Sequence, residues 1–329
     1  MLQDTHVAAF RGEGLEIERA EGLVEKAVEQ MVAEPSRLLA LATYDEIDSF
    51  TVGHSVRVAL LALQVAEAAN ISRKDLVRVG TAALLHDIGK SRIPQEVLFK
   101  RGPLTLEERD IMAQHPRLGG EILLEQEHLD PTAIGAAFCH HMVPGRGSYP
   151  TPALPFEPSG VSKLVRVCDV FEALTAVRPY KRALQPVEAY VVMRRMTGGF
   201  DPKWRRFFIQ VLGVHPPGTS VTLNTGARGL VVATGQTPDT PEVRIVTDAQ
   251  GRPLDAEDQP IVTIGDAVEG VQLEIARAHG SHPHGKDATD CGDDHNDDSG
   301  SEEGDNDEGK AKGIDSCCGE ELTKAKPKE

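Results

Sequence analysis

The sequence predicts a mainly α-helical bundle followed by a small β subdomain and an acidic tail. Three observations support this fold class. Apolar residues recur at helical spacing from about Leu15 to Leu212, short β-branched runs occupy roughly 216–275, and large apolar residues then become rare. With 329 residues, of which 40% are hydrophobic, the chain is long enough to bury at least one sizeable core.

The helices are predicted from apolar spacing and from their end signals. The clearest covers 52–69, where Val58, Leu61 and Val65 form one apolar stripe that His54 extends by one turn. Gly89 is expected to stop the helix over 75–87 in a left-handed conformation. The expected helical ranges are 15–32, 36–47, 52–69, 75–87, 106–114, 119–127, 133–141, 162–177, 186–196 and 202–212.

The irregular and extended segments follow from proline, glycine and β-branched residues. Between His141 and Gly160 the chain carries five prolines and three glycines (Gly160 included), which excludes a helix and predicts a long loop of the kind that is usually functional. After His215 the runs TSVTLNT, RGLVVAT, EVRIVTD and PIVTI alternate in the manner of small antiparallel strands.

The last segment differs in composition from the rest of the chain. Residues 281–329 hold 15 Asp and Glu against 6 Lys, a net −9 out of a formal −16 for the whole chain. Their large apolar residues are Ile314 and Leu322, which is too little apolar surface to offset the entropy of ordering the chain. This tail is therefore expected to be disordered.

Composition also excludes several classes of protein. The negative charge argues against a general binder of DNA or of anionic membranes. No apolar run approaches the ~20 residues of a membrane helix, and the first residues lack a signal-peptide pattern. Five cysteines are too few and too unevenly placed for a disulfide framework. A soluble, cytoplasmic protein is the expectation.

Five histidines and two aspartates lie near apolar helical faces or at predicted helix ends. Buried histidine and aspartate are costly unless they are paired, hydrogen-bonded or bound to metal. Nitrogen and carboxylate ligands without thiolates favour Fe, Mn, Zn, Ni or Co. Because seven ligands exceed one coordination sphere, two ions that share a carboxylate are the economical interpretation. The residues are His54, His86, Asp87, His115, His140, His141 and Asp169.

Each of these residues has a simpler explanation when taken alone. His54 could be a hydrogen-bonded core histidine, His115 before Pro116 could merely open a helix, and Asp169 could be a cap or an ion-pair partner. The metal interpretation depends on the whole set, which occurs on separate helices together with the lysine of HDIGK.

The chain resembles the HD-GYP family, the HD-superfamily phosphodiesterases that hydrolyse the bacterial second messenger cyclic di-GMP. Order and spacing fit across about 51–181. The matching stretches are GHSVRVA (53–59), LLHDIGKSRIP (84–94), LTLEERDIMAQHPRLGGEIL (104–123), FCHHMVPGRGSYP (138–150) and VCDVFEALTAVRPYK (167–181).

The resemblance implies two divalent cations, with Fe or Mn favoured and Zn, Ni or Co as alternatives. One cation would be held by His54, His86, Asp87 and Asp169. The other would be held by Asp87, His115, His140 and His141, with Asp87 bridging and a hydroxide between the ions as nucleophile. Members with three metals carry a glutamate where this chain has Phe50, so two metals are expected.

The resemblance also implies a substrate site. Lys90 is similar to the family's phosphate-binding lysine and is expected to act in catalysis beside Asp87. Arg178 and Lys181 are similar to the cationic pair that holds the substrate phosphates, and Tyr149 is expected to contact the substrate. Ammonium and guanidinium groups suit a phosphodiester, although each of these cations could instead be a solvated charge near a helix end.

One segment departs from the family pattern HHExxDGxGYP. Met142 replaces the glutamate, Gly145 the aspartate, and Ser148 the glycine of the triplet, whereas Tyr149 and Pro150 remain. A serine at a position that requires positive φ would be strained by ~1–2 kcal/mol. Metal ligation is expected to persist, and the departure bears on substrate choice and turnover.

Three functions therefore remain. The first is hydrolysis of cyclic di-GMP to pGpG, with GMP as the alternative final product. The second is a catalytically weakened protein that senses a nucleotide or docks a partner such as a diguanylate cyclase. The third is hydrolysis of another nucleotide or phosphate ester.

Four regions are expected along the chain. Residues 1–50 form an N-terminal helical segment that packs on the core or mediates formation of a homodimer. Residues 51–214 form the HD-GYP-like metallohydrolase domain, 215–278 a small β-rich extension and 279–329 the disordered tail.

Overall fold

The computed structural model describes residues 16–33, 52–143, 148–151, 156–176, 183–196, 198–268 and 270–279. The predicted helix over 36–47, the acidic tail, and Phe50, Gly145, Arg178 and Lys181 lie outside the described residues. Within them, helices are followed by a small antiparallel sheet, which confirms the predicted fold class.

Most predicted helices are present with ends that differ by a few residues. A 3₁₀ turn at Ile88–Arg92 and the short α4 were not predicted. The α-helices of the described part are α1 (Ile17–Ala33), α2 (Val52–Ala68), α3 (Arg73–Leu85), α4 (Gln95–Leu98), α5 (Leu106–Met112), α6 (His115–Leu124), α7 (Pro131–Cys139), α8 (Gly160–Thr175), α9 (Pro186–Arg195) and α10 (Pro202–Leu212).

Helix α6 begins at His115, four residues before the helix predicted over 119–127. Pro116 lies in its first turn, where the missing N–H removes no intrahelical hydrogen bond. The His-Pro pair therefore opens this helix, as the sequence suggested, and the predicted range was too late.

Helix α2 lies in the centre of the helical part and packs against α3 and α8. Its predicted stripe of Val58, Leu61 and Val65 is buried, and His54 continues the stripe into the interior. Burying each of these aliphatic side chains contributes about 1.5–3 kcal/mol. Helix α1 adds its apolar face to the same core. The core thus fixes the helix that carries the first candidate ligand.

Gly89 does not adopt the left-handed conformation that was expected of it. It lies inside the 3₁₀ turn and is not among the glycines with positive φ. The structure gives a different reason for glycine. A Cβ atom built there would lie 2.0 Å from the carbonyl oxygen of His115 and 2.4 Å from the amide nitrogen of Gly119. The turn after α3 therefore touches the backbone of α6 directly.

The sheet carries its own smaller core. Its main five strands run antiparallel in the order β4-β3-β2-β1-β7, and β5 and β6 form a separate hairpin. Val221, Val231 and Val243 are buried on one face. The strands are β1 (Ser220–Leu223), β2 (Arg228–Ala233), β3 (Glu242–Thr247), β4 (Ile261–Thr263), β5 (Ala267–Val268), β6 (Val271–Gln272) and β7 (Ile275–His279).

The four predicted strand runs correspond to β1–β4, whereas β5, β6 and β7 were missed. Strands β5 and β6 have two residues each, and β7 lacks a β-branched run. The Thr234 hydroxyl donates to the Val211 carbonyl of α10 at 3.1 Å, which joins sheet and helices. No described helix has the length and apolarity to cross a membrane.

Gly89→Ala should lower the free energy of unfolding by at least ~1–3 kcal/mol, because the added methyl group overlaps backbone atoms that cannot move aside as a side chain can. The measurement is urea unfolding of the full chain.

Gly135→Ala is the matched control, since it makes the same change inside α7 with open space around the new Cβ. It should raise stability by ~0.5–1 kcal/mol through helix propensity. Equal effects of the two substitutions would contradict the close backbone contact at Gly89.

Candidate metal centre

The structure brings all seven candidate ligands into one buried pocket. Six of them lie at or near helix ends, and Asp169 lies within α8. His54 is in the first turn of α2, His86 caps α3, and Asp87 precedes the 3₁₀ turn. His115 opens α6, and the pair His140-His141 follows α7. All seven side chains are buried, so their polar atoms must find partners inside the protein.

Asp87 lies between two groups of imidazoles and turns one oxygen toward each. Its Oδ2 is 3.4 Å from His54 Nε2 and 3.3 Å from His86 Nε2. Its Oδ1 is 3.3 Å from His115 Nε2 and 3.7 Å from His140 Nε2. This is the geometry required of a carboxylate that two cations share.

The first group consists of His54, His86, Asp87 and Asp169. Ligand atoms of the first three lie within 4.8 Å of one another. Asp169 Oδ1 lies 3.2 Å from His54 Nε2 and 4.0 Å from His86 Nε2. Asp169 thus adjoins this group on the side of its two histidines.

The second group consists of His115, His140 and His141, whose ligand atoms also lie within 4.8 Å of one another. The Nε2 atoms of His115 and His140 are 3.1 Å apart. Asp87 Oδ1 faces the same side, so this group also has one carboxylate oxygen.

Helix ends determine which ring nitrogen carries the proton in three of these histidines. His86 Nδ1 lies 2.7 Å from the Ala83 carbonyl oxygen, His115 Nδ1 2.8 Å from that of Met112, and His140 Nδ1 2.9 Å from that of Ala137. Each carbonyl belongs to the last turn of the preceding helix, where carbonyl groups lack an intrahelical donor. Because a carbonyl only accepts, Nδ1 is the donor in all three rings and Nε2 presents a lone pair to the pocket.

This arrangement fits cations. With Nδ1 protonated on both rings, His115 and His140 direct two lone pairs at each other across 3.1 Å, which is repulsive unless a positive charge lies between them. Three further buried atoms of the candidate ligands have no hydrogen-bond partner among the described residues, namely His86 Nε2, Asp87 Oδ1 and Asp169 Oδ2. Nitrogen and oxygen donors of this kind suit divalent transition metals.

Protonation states in the second group favour ligation. Burial lowers the pKa of His115 to about 4 and that of His140 to about 3, so both rings are neutral at pH 7. Burial alone would raise the pKa of Asp87, but Lys90 and the nearby imidazoles hold it well below its usual range. Neutral imidazoles and an ionised carboxylate are the forms that bind metal.

His54 differs from the other histidines. Burial alone would lower its pKa, but the carboxylates of Glu172, Asp169 and Asp87 raise it well above its usual value. His54 Nε2 lies 3.2 Å from Asp169 Oδ1 and 3.4 Å from Asp87 Oδ2, so it faces two carboxylates that would also face a cation bound there.

Of the three basic residues that are predicted to bind the substrate, the described part of the chain includes Lys90. Lys90 Nζ lies 2.7 Å from Asp87 Oδ2, and the lysine side chain is 20% exposed, so it lies at the rim of the pocket. Arg178 and Lys181 lie outside the described residues.

The altered loop is accommodated without strain at Ser148. The described non-glycine residues with positive φ are Asn70 and His128, so the serine has a backbone conformation open to any residue. The Val143 amide donates to Ser148 Oγ at 3.0 Å. The neighbouring Tyr149 ring stacks on His141, with centroids 4.6 Å apart and planes 21° apart.

Sequence reasoning missed three polar residues behind the ligands. Glu172 contacts His54 Nδ1, and Arg57 contacts the same carboxylate. Arg166 donates to the carbonyl oxygens of His140 and Gly199. A usable signal was present, because Arg57 lies three residues after His54 and Glu172 three after Asp169, which places each on the same helical face as a candidate ligand.

Comparisons with known proteins show which sequences and folds this chain is similar to. The chain is 31% identical over 268 residues to a cyclic di-GMP phosphodiesterase of Pseudomonas aeruginosa, covering 79% of this chain and 64% of that protein. It is 33% identical over 160 residues to a 3′3′-cGAMP-specific phosphodiesterase of Vibrio cholerae, covering 48% of this chain and 35% of the relative. The chain thus spans less than two thirds of the length of either.

The fold is also found in a solved structure. An HDG"Y"P protein from Bdellovibrio bacteriovorus aligns with a TM-score of 0.52 and 18% identity, over 63% of this chain and 67% of that one. The resemblance to HD-GYP proteins is thereby confirmed at the level of fold. A family model described as HD domain matches residues 23–204, which is more than half of the sequence. The chain belongs to the HD-domain family.

Proposed function

We propose that this protein is a metal-dependent phosphodiesterase that hydrolyses cyclic di-GMP to pGpG, with GMP as the alternative final product. The observation that carries the proposal is the position of Asp87, whose two oxygens face two separate groups of buried imidazoles. A phosphodiesterase relative that is 31% identical supports the choice of reaction and substrate. The hydrolytic unit in this proposal is the region 51–214.

The proposed cofactor is a pair of divalent cations. His54, His86, Asp87 and Asp169 would hold one, and Asp87 with the second imidazole group would hold the other. Fe or Mn suits these nitrogen and oxygen donors, with Zn, Ni or Co as alternatives. When bound, such a pair polarises a phosphodiester and supplies a nucleophile from water at neutral pH.

The proposed substrate contacts come from the rim of the pocket. Lys90, which lies beside Asp87, would bind a phosphate oxygen and balance its charge. Arg178 and Lys181 would hold the substrate phosphates from a segment outside the described residues. Tyr149 would contact the substrate from its position over His141.

The cytoplasmic location, self-association and docking of a diguanylate cyclase remain predictions.

The wild-type chain should bind two equivalents of Mn²⁺ or Fe²⁺ after chelation and reloading. His54→Ala and His141→Ala should each retain about one equivalent, because each removes a ligand from one group. Asp87→Ala should lose both, since it removes the shared carboxylate. Elemental analysis of gel-filtered protein measures the metal content.

Asp248→Ala is the matched control for Asp87→Ala. It removes a carboxylate that pairs with Arg252 in the turn after β3, at 2.6 Å, and should leave the metal content unchanged. Retention of both equivalents by Asp87→Ala would contradict the shared-carboxylate arrangement.

Metal-loaded wild-type protein should convert cyclic di-GMP to pGpG, measured by liquid chromatography of the nucleotides. His86→Ala and Asp87→Ala should reduce the rate by at least ~100-fold, because even residues behind metal ligands contribute ~10–100-fold. Asp248→Ala should retain the wild-type rate. A wild-type rate no higher than that of the Asp87→Ala variant would defeat the proposal.

The altered loop favours a second candidate, a nucleotide sensor without turnover. Met142 and Ser148 stand where the family pattern has a glutamate and a glycine. Titration calorimetry with cyclic di-GMP, beside the hydrolysis assay, distinguishes the phosphodiesterase from the sensor. Tight binding without hydrolysis would support the sensor, and measurable hydrolysis would exclude it. The Vibrio cholerae relative makes 3′3′-cGAMP the other nucleotide to include in the same assay.

A further inference from the structure

His54 cannot obtain its second hydrogen bond in the way that three of the other candidate ligand histidines do. His86, His115 and His140 each donate from Nδ1 to a carbonyl in the last turn of the preceding helix. His54 instead lies in the first turn of α2, where a helix exposes N–H donors rather than carbonyl acceptors. An acceptor for His54 Nδ1 must therefore come from another element.

Helix α8 supplies that acceptor. The Glu172 carboxylate oxygen Oε2 contacts His54 Nδ1, 118 residues away in the sequence, and the Glu172 side chain is 3% exposed. On the opposite edge of the same ring, Nε2 lies 3.2 Å from Asp169 Oδ1. Asp169 and Glu172 thus hold the two nitrogens of one imidazole from one face of α8.

Arg57 completes the arrangement. Its Nε and Nη2 atoms both lie 2.5 Å from Glu172 Oε1, so the guanidinium occupies the carboxylate oxygen that His54 does not use. A buried carboxylate needs such a partner, because an unpaired buried charge is strongly unfavourable. Two helices therefore each contribute a pair spaced by three residues, His54 with Arg57 and Asp169 with Glu172.

We infer that Glu172, held in place by Arg57, is a positioning residue that fixes the ring of His54 with Nδ1 protonated and Nε2 directed at the first metal group. The inference rests on the proposed function in assuming that this group binds a cation. Glu172 acts through His54, since its carboxylate lies on the Nδ1 edge of the ring, opposite the nitrogen that faces Asp87 and Asp169. Partners of this kind behind metal ligands contribute ~10–100-fold to metal affinity.

The test is a calorimetric titration in which metal-free full-length protein is titrated with Mn²⁺ alone. Glu172→Gln keeps the size of the side chain and removes its charge. It should weaken one class of Mn²⁺ sites by ~10-fold or more and leave the other class unchanged. Glu29→Gln is the matched control, because it makes the same change in an exposed ion pair with Arg73 and should leave both classes unchanged.

A thermodynamic cycle distinguishes positioning from a general structural role. In a His54→Ala background, which is expected to retain only the second class of Mn²⁺ sites, Glu172→Gln should alter the affinity of that class by less than about twofold, whereas a general structural role would weaken it as well. Weakening of both classes by Glu172→Gln, or wild-type affinity in Glu172→Gln, would overturn the inference. Should Glu172→Gln fail to fold by circular dichroism, Arg57→Lys and Glu172→Asp provide the same comparison.

The readout also separates this inference from the proposed function. Mn²⁺ binding is measured without any nucleotide. Absence of cyclic di-GMP hydrolysis would therefore defeat the proposed activity, while the comparison of Mn²⁺ affinities would still test the positioning role of Glu172. Conversely, normal hydrolysis with an unaltered Mn²⁺ affinity in Glu172→Gln would defeat only the positioning role.

Discussion

The pocket depends on one carboxylate that is almost wholly removed from water. Burial disfavours the ionised form of Asp87, and its pKa stays well below the usual range chiefly because Lys90 Nζ lies 2.7 Å from Oδ2. The ends of α3 and α7 and the starts of α2 and α6 meet at this carboxylate. The remaining architecture, including the buried stripe of α2, serves to hold those helix ends together.

Helix ends also explain why the histidines present the correct nitrogen. A carbonyl in the last turn of a helix needs a donor, and a histidine placed just after that turn supplies one from Nδ1. The same hydrogen bond leaves Nε2 as a lone pair aimed into the pocket. This one hydrogen bond thus gives the backbone carbonyl a donor and directs a candidate metal ligand into the pocket. His54 lies at the start of its helix, where no such carbonyl is exposed, and its Nδ1 contacts a carboxylate from α8 instead.

Much of the fold and the candidate ligand set could be predicted because the signals are local. Adjacent pairs such as His86-Asp87 and the stripe containing His54 mark side chains that must be buried together. Glu172 was missed because its partner His54 lies 118 residues away, and its spacing of three residues from Asp169 points to a shared helical face without identifying that partner. Strand β7 was missed because its pairing with β1, rather than its own residues, makes it a strand.

The role of Gly89 was missed for the same reason, since only the folded chain places it against α6. That contact has a consequence for the pocket as a whole. The backbone that follows His86 and Asp87 is in direct contact with the backbone of the helix that begins at His115. The distance between the two groups of candidate ligands is therefore set by the van der Waals radii of backbone atoms. Substitutions that change side-chain size elsewhere in the core therefore cannot narrow that interval, because the two main chains are already in contact.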